Sequence, residues 1–119
     1  MSQSYPEMID ELNAAIGTLR AGAPATMKAF SALAREASAP GALDAMTKEL
    51  IAIAIAIATR CDGCIGFHVK AAIRAGATRE QVLETVSMAI YMGAGPSMIY
   101  AAQTLRAFDE LAPAAPAAA

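Results

Sequence analysis

The amino-acid sequence predicts an all-α fold, a compact bundle of five to six helices. Three observations predict it. Apolar residues recur at i, i+3, i+4 and i+7 along most of the chain. Pro- and Gly-bearing clusters punctuate that pattern at helix-length intervals. The one stretch that alternates like a strand, "IAIAIAIA" at residues 51–58, has no second strand to pair with.

In residues 6–21, Met8, Ile9, Leu12, Ala15, Ile16 and Leu19 form one stripe; Pro6 suits the first turn and Gly22 a stop. Residues 24–37 follow with Met27, Phe30, Leu33 and Ala37 as their stripe. "SAPGAL", Ser38 to Leu43, is a turn, after which Asp44 can cap a helix over residues 45–59. In that helix strand propensity (Ile) and helix propensity (Ala) conflict. The helix-like "LDAMTKEL" in front of the run decides for helix, one apolar nearly all round and so expected to be buried on most sides. The next helix begins near Cys61 or Asp62 and ends at "AGAT", where Gly76 suits the left-handed position after a helix. Thr78 and Gln81 form a capping box for its successor, whose face is Val82, Val86, Ala89, Ile90 and Gly93. "GAGPS", Gly93 to Ser97, breaks the chain again. A last helix runs to about Leu111 with Met98, Ala101, Ala102, Leu105 and Phe108 inward. Residues 1–111 therefore read as one domain, and 112–119 ("APAAPAAA") as a mobile tail.

Composition narrows the function. The 119 residues are 56% hydrophobic and 17% charged. A chain this short has a large surface for its volume, so part of its apolar surface is expected to be covered by further copies, as a homo-oligomer. The net charge of -2, with no basic block, argues against nucleic-acid binding. No secretory signal and no membrane-length apolar run are visible, so the expected location is cytoplasmic. No phosphate loop or dinucleotide fingerprint is present, and no cofactor is expected.

The chemistry concentrates in "TRCDGCIGFH", residues 59–68, which holds both cysteines and the single histidine. In a reducing compartment such a pair reads as redox or metal chemistry. At about 100° per residue, Cys61, Cys64 and His68 fall within about 60° of one another on a helix. His68 lies one turn beyond Cys64 and leans back toward it, whereas Cys61 is about 10 Å away along the axis. His68 can therefore act as base for Cys64, and Cys61 becomes the partner for disulfide closure. The helix start, with Arg60 beside it, favours the Cys61 thiolate. Glu49 reaches this cluster only if the chain breaks near Thr59–Arg60 and the two helices pack with Glu49 turned toward the site. Gly63 and Gly66 weaken the helix and point to close backbone approach. Two blander readings stay open. The cysteines can be small core residues, or Cys61, Cys64, His68 and Glu49 can be zinc ligands, although a second ligand pair is missing.

Glu49-x11-Cys61-x2-Cys64-x3-His68 resembles the signature of the AhpD-like alkylhydroperoxidases of the carboxymuconolactone decarboxylase family. "TKELIAIAIAIA", "AGATREQVLE" and "MGAGPSMIYA" are similar to that family's flanking text. The resemblance covers about residues 40–110. It implies an all-α fold assembled into trimers or hexamers, and thiol-dependent reduction of a hydroperoxide substrate. It also implies that Cys64 attacks the peroxide, Cys61 resolves, and Glu49 joins His68 in a proton relay. An external dithiol, a lipoyl group or a thioredoxin-like protein would reopen the disulfide. Some members carry a further histidine between the cysteines, a position held here by Gly63. The lactone decarboxylases of the wider family lack the cysteine pair, which argues against decarboxylation. Alternatives are a thiol–disulfide oxidoreductase with little peroxide activity, or a non-enzymatic zinc-binding or helical interaction module.

Overall fold

Five helices follow one another in a computed structural model that describes residues 3–113: α1 (Tyr5–Gly22), α2 (Pro24–Ser38), α3 (Ala45–Ala58), α4 (Asp62–Arg74) and α5 (Arg79–Leu111). No strand occurs among the described residues. Residues 114–119 of the expected mobile tail lie outside them. No helix of the described chain is long and apolar enough to cross a membrane.

The caps account for the helix starts. Ser4, Asp44 and Thr78 accept from the backbone N–H groups of Glu7, Thr47 and Gln81, and Gln81 returns a bond to Thr78 N. Gly76 takes φ +94, the left-handed conformation that ends α4 without a Cβ clash.

The alternating run is a helix, and that has a geometric consequence. Successive isoleucines are about 200° apart on a helix, so they form two stripes on opposite faces. Ile53 and Ile57 are fully buried at the centre of the core, against Ile65 and Val69 of α4 and Val82 and Val86 of α5. Ile51 and Ile55 point outward, Ile55 being 56% exposed. The expectation of a helix buried on most sides therefore fails in a single chain, because α4 and α5 cover only one of its two isoleucine faces.

One surface is left uncovered, and one further expectation needs correction. No residue of α2 is buried, and Phe30 and Leu33 of its stripe are 60% and 62% exposed, because α2 meets only the edges of α1 and α3. In α5 the inward residues after the break are Ser97, Ala101, Thr104, Ala107 and Phe108, whereas Met98 and Ala102 face out. Thr104 can be buried because its hydroxyl donates to the Tyr100 carbonyl at 2.8 Å. The break itself is confined to one residue. Ala94 (φ 57, ψ -143) sits between two helical stretches that otherwise run on as one, with Pro96 two residues later. The "GAGPS" stop is thus a kink, and five helices result.

α1 lies across α4 where the two glycines are. A Cβ on Gly66 would come within 3.1 Å of the Tyr5 ring, and one on Gly63 within 2.8 Å of Leu12 Cδ1. Close backbone approach is what these glycines permit.

Candidate active site

The turn between α3 and α4 builds the site. Thr59 still has helical φ/ψ, and Arg60 then takes φ 58, which reverses the chain. A side chain in that conformation is strained by about 1–3 kcal/mol. The turn is held by backbone bonds from Thr59 N to Ile55 O (2.8 Å), Arg60 N to Ile57 O (3.2 Å) and Cys61 N to Ala56 O (3.0 Å). It also breaks the axis between α3 and α4, so residues of both helices can face each other across it.

Cys61 is the N-cap of α4. Its Sγ accepts from the Cys64 backbone N–H at 3.2 Å, in the place where Ser or Asp usually sits. Cys61 and Cys64 are joined as a disulfide, with Cα atoms 5.2 Å apart. In this oxidised state both sulfurs are committed to each other. Among the described residues no three His, Cys, Asp or Glu side chains converge to hold a metal ion.

His68 Nδ1 lies 2.7 Å from Glu49 Oε2, across the α3–α4 seam. A carboxylate can only accept, so this pairing places the ring proton on Nδ1 and leaves Nε2 as the basic nitrogen. The Glu49 side chain is 18% exposed and that of His68 42%. The carboxylate is thus the sheltered partner and the ring the more exposed one.

Cys64 and His68 line one cleft of about 240 Å³, together with Ala52, Ile55, Ala56 and Thr59. A neighbouring cleft of about 320 Å³ shares Ala52 and His68 and adds Phe30, Lys48 and Glu49. His68 therefore stands between the sulfur on one side and the carboxylate on the other. Lys48 Nζ donates to the Ala37 (3.0 Å) and Ala39 (2.5 Å) carbonyls, fastening the end of α2 beside the second cleft. Arg60 does not join the cysteines. It lines a separate cavity of about 330 Å³ with Ala54, Ile55, Met88, Met92 and Ser97, which contains neither sulfur. Ile55 lines both spaces and forms the wall between them.

Behind the pair, buried Tyr5 donates through its hydroxyl to Asp62 Oδ1 at 3.4 Å, and Arg106 stacks over its ring at 4.6 Å. Burial, with the Asp62 carboxylate adding to it, pushes the Tyr5 phenol up to about 12.

The structure thus brings together all four residues singled out in the sequence: Cys61 with Cys64, Glu49 with His68, and Cys64 with His68 in one cleft. Spacing carried no signal for Tyr5, Lys48 or the wall residues Ala52, Ile55 and Thr59. Their places follow from how α2, α3 and α4 pack, and, for Tyr5, from the packing of α1 on α4.

Comparison with known proteins fits this geometry. Residues 24–107 match the carboxymuconolactone decarboxylase family, so the match begins earlier than residue 40 and takes in α2. The chain is 40% identical over 111 residues to an uncharacterized protein of Cupriavidus necator, covering 93% of this chain and 98% of that one. It is 47% identical over 100 residues to uncharacterized protein 4 in the cox locus of Paracoccus denitrificans, covering 83% and 89%. An apo crystal structure of a carboxymuconolactone decarboxylase family protein from Legionella pneumophila superposes with a TM-score of 0.89 at 46% identity, over 92% of this chain and 97% of that one. A family member from Thermotoga maritima, for which an involvement in antioxidative response has been suggested, superposes with a TM-score of 0.78 at 25% identity, over 87% and 89%.

Proposed function

The chain belongs to the carboxymuconolactone decarboxylase family, and from that premise we propose that it is a thiol-dependent peroxidase. One observation carries this reading: Cys64 of the cysteine pair lines a cleft that also holds an imidazole backed by a carboxylate. The suggested antioxidative involvement of the Thermotoga maritima relative points the same way.

In the reduced protein, His68 Nε2 takes the Cys64 proton while Glu49 holds Nδ1–H and balances the imidazolium charge. The Cys64 thiolate attacks the terminal oxygen of the hydroperoxide. The O–O bond breaks, an alkoxide leaves with the proton from His68, and Cys64 becomes a sulfenic acid. The Cys61 sulfur then attacks Cys64 Sγ, the S–O bond breaks, the departing hydroxide takes up the proton given up by the Cys61 thiol and leaves as water, and the disulfide forms. An external dithiol, whether a lipoyl group, a thioredoxin-like protein or a small thiol, supplies two electrons to reopen it. The outward apolar residues Phe30, Leu33, Tyr91 and Met92 support assembly of this cytoplasmic protein as a homo-oligomer, a trimer or hexamer.

The test uses reduced protein and an organic hydroperoxide. Wild type should lose both thiols and close the disulfide. Cys61→Ser should form one sulfenic acid per chain, captured by dimedone, without turnover. Cys64→Ser should not react. If Cys64→Ser traps dimedone and Cys61→Ser does not, the roles are reversed. If wild type keeps its thiols in excess peroxide but exchanges with disulfides, the protein is a thiol–disulfide oxidoreductase instead.

A further inference from the structure

The two sulfurs of the disulfide are chemically unequal, and the difference dictates how it is reopened. We infer that the reducing thiol attacks Cys64, in the same cleft that receives the peroxide, and that Cys61 is the departing sulfur. This rests on the redox reading of the pair but not on a peroxide being the oxidant.

Three observations carry it. Cys64 stands among the residues lining the cleft, and Cys61 does not. The basic residue, His68, lines that same cleft, so a thiol entering there meets a proton acceptor on arrival. And Cys61 Sγ already accepts the Cys64 N–H as the N-cap of α4. Negative charge arriving on Cys61 is received by the Cys64 backbone N–H at the positive end of α4; Cys64 lies in the same first turn, but among the described residues its Sγ accepts no such bond. Thiol–disulfide exchange is faster when the leaving thiol is the more acidic one. Both cysteines are half-buried, but only Cys64 borders the cleft that holds the base; its place there, the position of the base and the stability of the departing thiolate therefore select the same direction.

The step balances as follows. An incoming thiol gives its proton to His68 Nε2, and the thiolate sulfur bonds to Cys64 Sγ. The Cys61–Cys64 bond breaks and its electron pair goes to Cys61 Sγ, held by Cys64 N–H. The second thiol of the reductant then attacks its own sulfur in the mixed disulfide. Cys64 leaves and recovers the proton from His68, and the proton of the second thiol passes to Cys61. The dithiol ends as its disulfide and the protein as two thiols. Peroxide and reductant thus use one cleft and one sulfur in turn, the peroxide at the reduced protein and the thiol at the disulfide.

The test takes the oxidised full chain and excess 2-mercaptoethanol. Samples are quenched in acid at successive times, free thiols are capped with N-ethylmaleimide, and the tryptic peptide Cys61–Lys70 is sequenced by tandem mass spectrometry. The expected result is an about tenfold excess of the mercaptoethanol adduct on Cys64 with maleimide on Cys61. Equal labelling, or the adduct on Cys61, overturns the inference. Ile55→Trp, which fills the cleft from its exposed wall, should slow the exchange about tenfold; an unchanged rate shows that the thiol does not enter there and also overturns it. A disulfide that no thiol opens sinks this inference together with the redox reading. Selective Cys64 labelling in a protein inert to peroxide sinks only the peroxidase reading.

Discussion

Replacing Glu49 tests the relay at its most sheltered member. The contact to His68 is 2.7 Å, and in the proposed mechanism it couples a carboxylate to an imidazole that becomes cationic on taking the Cys64 proton. A hydrogen bond to a charged group contributes about 1.5–3 kcal/mol. The His68 side chain is 42% exposed, so solvent screens part of this and the low end, about 1.5–2 kcal/mol, applies. At about 1.4 kcal/mol per tenfold, Glu49→Ala should slow the attack of Cys64 on a hydroperoxide by about 10–30-fold. Glu49→Gln keeps an acceptor oxygen for Nδ1–H and loses only the charge, so it should fall between, at about threefold. The assay is stopped-flow thiol loss in reduced protein under excess organic hydroperoxide, with helix content checked by circular dichroism. If Glu49→Ala reacts at the wild-type rate while His68→Ala is slow, Glu49 has no part in the relay. If both react at the wild-type rate, there is no relay.

Two stability predictions follow from the same structure. The Tyr5 phenol is raised from 10.0 to about 12 in the folded protein, so the unfolded chain loses this proton first as pH rises. The stabilisation is fully present below pH 10 and disappears as pH climbs through about 12; a two-unit shift corresponds to about 2–3 kcal/mol. Urea unfolding at pH 9 and pH 11.5 should show wild type losing more stability than Tyr5→Phe, and equal losses would refute the assignment. Ala94 holds φ 57 and ψ -143, where an L side chain is strained. Ala94→Gly should raise stability by about 1 kcal/mol by relieving that strain, and a lower urea midpoint would show that the kink is not strained.

Helix faces were legible where one side of an element meets the core. Val82 and Val86 on α5 are examples, because two buried residues at helical spacing have a single explanation. The phase of the last stretch was less legible. Met98 is the more apolar residue, yet Ser97 is the buried one. The kink at Ala94 sets the angle at which that stretch meets the core, and no residue type announces that angle. The stripe of α2 read correctly as apolar, but what covers it was not legible, since periodicity identifies a face and not its partner.

Among the site residues, the Cys61, Cys64 and His68 relationship is local. It lies within 8 residues, with Cys61 as the N-cap and Cys64 and His68 one turn apart on α4, so chain geometry alone puts Cys64 and His68 on one side. The sequence by itself therefore determined the helical class, the caps, and the shared face of sulfur and imidazole, because all are set by interactions within a few residues. Only the tertiary structure decided that Glu49 meets His68, that Arg60 turns to a different cavity, and that Cys64 rather than Cys61 borders the cleft. Those outcomes depend on how α3 and α4 pack after the reversal at Arg60, and packing between helices is fixed by side chains from several elements at once.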